Sequence, residues 1–220
     1  MALKKCWKLH KLFVSELERW QKLEREGEQV LSSLANVSKR VPLLTAQSTN
    51  ASASTLGVLS YAVDTPALLL QKHFLAMEKS VGFLRDIVRD LLDTTRRLRG
   101  FVDEFVDLVE DVEADQVTEP LALSSVRTIY QLQEWMENVR TMLERDMVRK
   151  KLVVSDVEYQ DAGRLQQMHQ SWLGGSSRGL IDQQYVALGL ETPPSLPSVS
   201  SQTTSDDATD SKKKKKPKKK

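Results

Sequence analysis

The chain has 220 residues, 40% of them hydrophobic, with 32 lysines and arginines against 30 acids and a single cysteine; this suits one domain with a modest core. The lysines at Lys212, Lys213, Lys214, Lys215, Lys216, Lys218, Lys219 and Lys220 carry the whole positive excess: without them 24 bases face 30 acids, and a formal +2 becomes −6. An acidic body excludes a globally basic nucleic-acid-binding domain, and a lone Cys6 excludes an internal disulfide and points to a reducing compartment.

The first residues, "MALKK", lead straight into alternating polar and apolar positions. They form no uninterrupted apolar stretch of the kind a secretory signal needs, and no later run approaches the roughly 18 apolar residues of a membrane span. The expected setting is nucleus and cytoplasm, where the sequons at Asn36 and Asn50 stay unglycosylated. From Leu3 to Val41, apolar residues recur at Trp7, His10 or Phe13, Val14, Leu17, Trp20, Leu23, Val30 or Leu31, Leu34 and Val37, the spacing of one buried face on a long helix. Gly27 inside that helix costs about 1 kcal/mol relative to alanine and marks a bend or break; Pro42 is expected to end it. A loop is expected over 42–65, where "TAQSTNASASTLGVLS" at 45–60 has no sustained period.

Asp64-Thr65-Pro66 has the cap and early proline of a helix start. The series that follows, Leu70, Phe74, Met77, Val81, Leu84, Val88, Leu91, Thr95, Leu98, Val102, Phe105, Val109 and Val112, alternates steps of four and three for six heptads. A mean step of about 3.5 keeps such a stripe facing one partner, as in a coiled coil or a long bundle helix. An unbroken helix from Pro66 to Val112 would be about 70 Å long, with Gly82 and Gly100 as the places for a bend. Leu69, Phe83, Leu92, Phe101 and Leu108 widen the apolar face, which favours a bundle of three or more helices.

The acids Asp103, Asp107, Glu110 and Asp111 read as a solvated face or as a docking face for a basic partner. Val126, Ile129, Leu132, Trp135, Met136, Val139, Leu143 and Met147 define the next helix, with Ser124 or Ser125 as its cap. It ends in "RDMVRKK", where cations suit the helix C-terminus. Arg145, Arg149, Lys150 and Lys151 can also form one basic patch there, toward RNA or an acidic partner helix, though no aromatic residues interleave as a stacking platform. Ser155-Asp-Val-Glu158 has capping-box spacing for a short helix through Ala162, Leu165, Met168 and Trp172, and "GGSSRG" at 174–179 breaks it. "LIDQQYVALGL" forms an amphipathic turn or two, or a docking peptide. Beyond Thr192 the composition is that of a disordered linker.

Chemistry is sparse. His10, His73 and His169 form no metal-binding spacing, no phosphate-gripping glycine loop or Gly-x-Ser-x-Gly motif is present, and Cys6 reads as a small buried apolar group. The expectation is no enzyme, with no catalytic, cofactor-binding or metal-binding residues. Trp135 and Trp172 read as core, or as aromatic anchors at an interface; with Arg145, Arg149, Lys150 and Lys151 they are the candidate partner-binding residues. The lysine block is a candidate nuclear address.

"ALKKC" at 2–6, Trp20, "LSSLANV" at 31–37, "EWMENVRTMLERDMVRKKL" at 134–152 and "LQQMHQSW" at 165–172 together resemble the small AAA-ATPase-interacting ribosome maturation factor family. The matching residues are Leu3, Lys4, Lys5, Cys6, Leu31, Ser32, Ser33, Leu34, Trp135, Arg149, Lys150, Lys151, Leu152 and Trp172, and the resemblance gives none of them a catalytic role. It implies a non-enzymatic adaptor that joins a small helical cyclin-dependent-kinase-interacting protein on AAA ATPases. Such a complex acts in late maturation of the large ribosomal subunit and in recycling an assembly factor, touching pre-ribosomal particles indirectly. The Ser/Ala-rich loop and the lysine block depart from the family form, so tail behaviour is not transferred. The combined expectation is an all-α, elongated helical bundle over 1–190 with long coiled-coil-like helices, followed at 191–220 by a disordered basic tail able to make weak RNA contact. Two rivals remain open: a coiled-coil structural or chromatin-associated scaffold, and an RNA-binding assembly factor acting through the tail.

Overall fold

A computed structural model describes residues 2–49, 65–115, 123–158, 161–174 and 180–190. Among these, all regular structure is helical: α1 (Ala2–Ser38), α2 (Val41–Thr49), α3 (Thr65–Asp115), α4 (Leu123–Ser155), α5 (Ala162–Trp172) and α6 (Gln183–Leu188). The all-α reading holds, and α3 runs 51 residues without interruption, about 75 Å at 1.5 Å per residue. Gly82 and Gly100 do not break it; both are exposed with open space around them.

The two periodic stripes are buried over most of their length, with Trp7, Val14, Val37, Leu70 and Phe74 only half-buried. On α1, His10, Phe13, Leu17, Trp20, Leu23, Leu31 and Leu34 of the stripe are buried, and so are Cys6 and Leu9 beside it. On α3 the stripe from Met77 to Val109 is buried, with Val88 half-buried. Thr95, its one polar member, satisfies its hydroxyl on the carbonyl of Leu91 at 2.8 Å, so a buried donor costs little. Phe83 departs from expectation: it is 52% exposed, beside the stripe rather than within it. The side chains of Leu3, Asp111, Val112 and Val126 lie outside the described set.

Pairings distant in sequence set the direction of each helix. Arg97 pairs with Glu16 at 3.2 Å, and Leu34 and Ala35 share a cluster with Met77 and Val81, so α1 and α3 are antiparallel. Arg99 with Glu144 at 2.8 Å and Arg140 with Asp103 at 3.6 Å make α3 and α4 antiparallel. Thus α1 and α4 run alongside in the same direction, one bundle around a main core of Phe13, Trp20, Leu91, Leu98, Phe105, Met136, Val139 and their neighbours. Past the end of α4, α5 folds back along α1 and lays Leu165 and Met168 onto Leu34, Ala35, Met77 and Val81.

Four local expectations are corrected. The first helix ends at Ser38, before a two-residue turn, and Pro42 lies in the first turn of α2, where its missing N–H removes no helical bond. The expected loop over 42–65 therefore begins as helix, and 50–64 fall outside the described residues. Ser124 and Ser125 lie inside α4, not before it. The capping-box segment is also misplaced: Ser155 closes α4, and the cap of α5 is Asp161, whose carboxylate accepts from the Arg164 amide at 3.0 Å. Gly174 turns the chain out of helix after α5 with φ of 75°, a conformation glycine adopts without strain. The lysine block and its linker lie outside the described residues.

Candidate functional site

Four of the six candidate partner-binding residues, Trp135, Arg149, Lys150 and Trp172, fall at two joints, each centred on a tryptophan. Gly27 does not interrupt α1; it makes room. A Cβ at that position would stand 2.2 Å from Cζ2 of Trp172, so the missing side chain is the seat of the α5 indole. Trp172 is wholly buried, and its Nε1–H donates to the Glu24 carbonyl at 3.0 Å, leaving the ring's polar atom satisfied.

Under that ring lies Lys150, fully buried. Its ammonium stands 5.2 Å from the Trp172 ring and 5.8 Å from the Trp20 ring, within cation–π range. It donates to Glu24 Oε1 at 2.6 Å and to Asp146 Oδ2. Asp146 also accepts from Arg149 Nε at 2.9 Å, and Arg149 donates onward to the Trp172 carbonyl at 3.0 Å. A buried lysine is tolerated only when paired and hydrogen-bonded, and here one cluster ties α1, α4 and α5 together.

The second joint closes on Trp135. Its Nε1–H donates to the Tyr185 carbonyl at 3.0 Å, Phe13 meets it edge-on at 5.5 Å, and His10 lies 5.7 Å away. Gly189, the C-cap of α6, leaves no space for a side chain: a Cβ would fall 2.0 Å from Trp135 Cε2. His10 Nε2 donates to the Gly189 carbonyl at 2.8 Å; a carbonyl only accepts, so that nitrogen carries the proton. Burial pushes this imidazole below its ordinary value, against the pull of the Gly189 bond. Asn138 donates to the Tyr185 hydroxyl at 2.9 Å, and Asp182 caps α6 through the amides of Gln184 and Tyr185. The "LIDQQYVALGL" segment is thus docked on its own chain.

Of the six candidate partner-binding residues, Trp135, Trp172 and Lys150 are buried, Arg149 is half-buried and committed to Asp146, and Arg145 and Lys151 are exposed. The four bases do not make one surface patch. Sequence reasoning missed Glu24, Gly27, Asn138, Asp146, Tyr185 and Gly189; only the i, i+4 spacing of Asp146 and Lys150 gave a local signal. Of the acids on α3, Asp103 pairs with Arg140, while Asp107 and Glu110 are exposed.

The Cys6 thiol is buried and its pKa raised by that burial, the opposite of an activated nucleophile. Among the described residues no group of three or more His, Cys, Asp or Glu is placed to hold a metal ion, and no helix is long and apolar enough to cross a membrane. Two open grooves flank α1. One of about 320 Å³ is lined by Val30, Lys79 and Phe83, and one of about 560 Å³ by Glu28, Asn36 and Arg40.

Residues 2–183 match the family model described as CA109-like, ribosome biogenesis protein C1orf109-like. A comparison with curated proteins gives no match.

Proposed function

The chain belongs to the C1orf109-like family of ribosome biogenesis proteins, and on that footing we propose that it is a non-enzymatic adaptor for AAA ATPases in late maturation of the large ribosomal subunit. In this reading it joins the ATPases together with a small helical cyclin-dependent-kinase-interacting protein. It meets pre-ribosomal particles through that assembly, and the lysine block addresses it to the nucleus. ATP hydrolysis comes from the partner, and the adaptor contributes effective concentration and geometry.

The observation that supports this reading is where the polar chemistry goes. Lys150, Asp146, Glu24, Arg149 and the indoles of Trp135 and Trp172 are spent on fastening α1, α4, α5 and α6 to one another. The long helices are thereby held as a frame whose outer faces, in this reading, meet other proteins. The test is affinity purification of the full chain at endogenous level, with native mass analysis of what accompanies it. A hetero-complex containing a AAA ATPase is the expected result. A pure homodimer with no ATPase would overturn the adaptor reading in favour of a coiled-coil scaffold.

A further inference from the structure

The outward side of α4 at its C-terminal end has a composition that neither joint uses. Val148 and Leu152 are 60% and 64% exposed, one helical turn apart. Arg145 and Lys151 are exposed on either side of them. At about 100° per residue, Arg145 and Lys151 lie roughly 60° to either side of Val148, and their separation along the axis is about 9 Å. The four make one face, opposite the buried side that carries Val139, Leu143, Asp146, Met147 and Lys150.

Among the described residues, the acids next to this face on α4 are already paired. Glu144 is held by Arg99, and Asp146 by Arg149 and Lys150. Among the described residues, Arg145 and Lys151 have neither an ion pair nor a hydrogen bond. Two adjacent exposed aliphatic side chains flanked by two free cations make an apolar centre with a positive rim.

We propose that this face of α4 is a docking surface for an acidic amphipathic helix of a partner protein. That helix lays two apolar side chains, three or four residues apart, over Val148 and Leu152 and brings carboxylates to Arg145 and Lys151. RNA fits less well: two cations release few counterions, and the face has no aromatic ring for a base to stack on. A second copy fits less well too. The chain's own acidic stripe, Glu104, Asp107 and Glu110, has exposed carboxylates, but no large hydrophobic side chain is exposed between them. It offers charge without the apolar pair.

This surface deepens the adaptor reading, and the two fail separately. In the test, the full chain carries a photo-crosslinking residue in cells at position 148 or 152, with position 75 on α3 as the exposed control. Crosslinked peptides are mapped by mass spectrometry. The mapped segment is then synthesised, alongside a version with every Glu and Asp amidated, and titrated against the unlabelled full chain. The expected result is a crosslink from 148 and 152, and not from 75, into an acidic helical segment. Its peptide should bind at least tenfold more tightly than the amidated version and lose at least tenfold against Arg145→Glu/Lys151→Glu. The milder Arg145→Gln/Lys151→Gln should lose less, with an unchanged melting temperature showing that the fold is intact. Crosslinks to RNA, to a second copy or to a neutral or basic segment, no crosslink above the control, or affinity indifferent to both charge changes would each overturn the surface. If a AAA ATPase accompanies the wild-type chain, the surface can fail while the adaptor reading stands; if none does, the adaptor reading fails whatever binds α4.

Discussion

Gly27 and Gly100 are both helical glycines, and they should respond in opposite ways to the same methyl group. Alanine is better than glycine in a helix interior by about 1 kcal/mol. At Gly100 a Cβ meets nothing, so Gly100→Ala should stabilise the protein by about that amount. At Gly27 it meets the Trp172 ring at 2.2 Å, and overpacking costs about 1–3 kcal/mol, so Gly27→Ala should destabilise on balance. Urea denaturation of the two variants decides this; equal stabilisation would mean the indole is not seated in the Gly27 notch. His10 gives a second prediction. Because burial holds its pKa below the ordinary 6.5, the unfolded chain takes up the proton first as pH falls. Its contribution is therefore complete above about pH 6.5 and is lost as the pH drops toward the folded value. Melting temperatures between pH 7.5 and 5.5 should fall, and His10→Gln, which keeps a donor for the Gly189 carbonyl, should flatten that part of the slope. The sequence placed His10 and Trp172 on apolar faces correctly. It does not show that Gly27 and Gly189 are the seats of Trp172 and Trp135, because a notch is a relation to a side chain 145 residues away in one case and 54 in the other.

At the level of elements, periodicity is a reliable signal, and α3 does start at Thr65 as its early proline indicates, whereas the serine cap signals are unreliable. The three-four alternation from Leu70 to Val109 is set by the core it faces, so it survives Thr95 and both glycines. Phe83 lies to one side of that alternation and is exposed; its hydrophobicity alone misled. The spacing of Ser155-Asp-Val-Glu158 is that of a capping box, yet the short helix starts elsewhere. Those residues are otherwise used: Ser155 donates to the Leu152 carbonyl at 2.8 Å, and Glu158 and Asp156 both engage Arg164. Asp161 is what holds the first turn of α5. Asp161→Ala should therefore cost about 1 kcal/mol, while Ser155→Ala should stay within about 0.5 kcal/mol. Thermal denaturation of both separates the two assignments, since a real capping box at Ser155 would reverse the order.

For the whole molecule, the helices were legible and their arrangement was not. That α1 and α4 run in the same direction with α3 against them rests on Arg97 with Glu16, Arg99 with Glu144 and Lys150 with Glu24, pairs 45 to 126 residues apart. A single sequence does not show which charges meet at such separations. It does show the division of charge between body and lysine block, and this supports a prediction at the same scale. Deleting residues 212–220 takes the formal charge from +2 to −6 and removes no residue of either tryptophan joint. If the block is an address, the nuclear fraction of the chain should fall several-fold on deletion while the co-purifying ATPase is retained in full. Any RNA held through eight lysine contacts should also disappear, and in the intact chain it should already weaken by a factor on the order of 10³ between about 50 and 200 mM salt. Fractionation and salt-graded pulldown of the two chains measure both effects. Should the ATPase be lost with the lysines, the adaptor surface would belong to the tail and not to the helical frame; RNA retained by the truncated chain at high salt would instead give the acidic body a nucleic-acid site of its own.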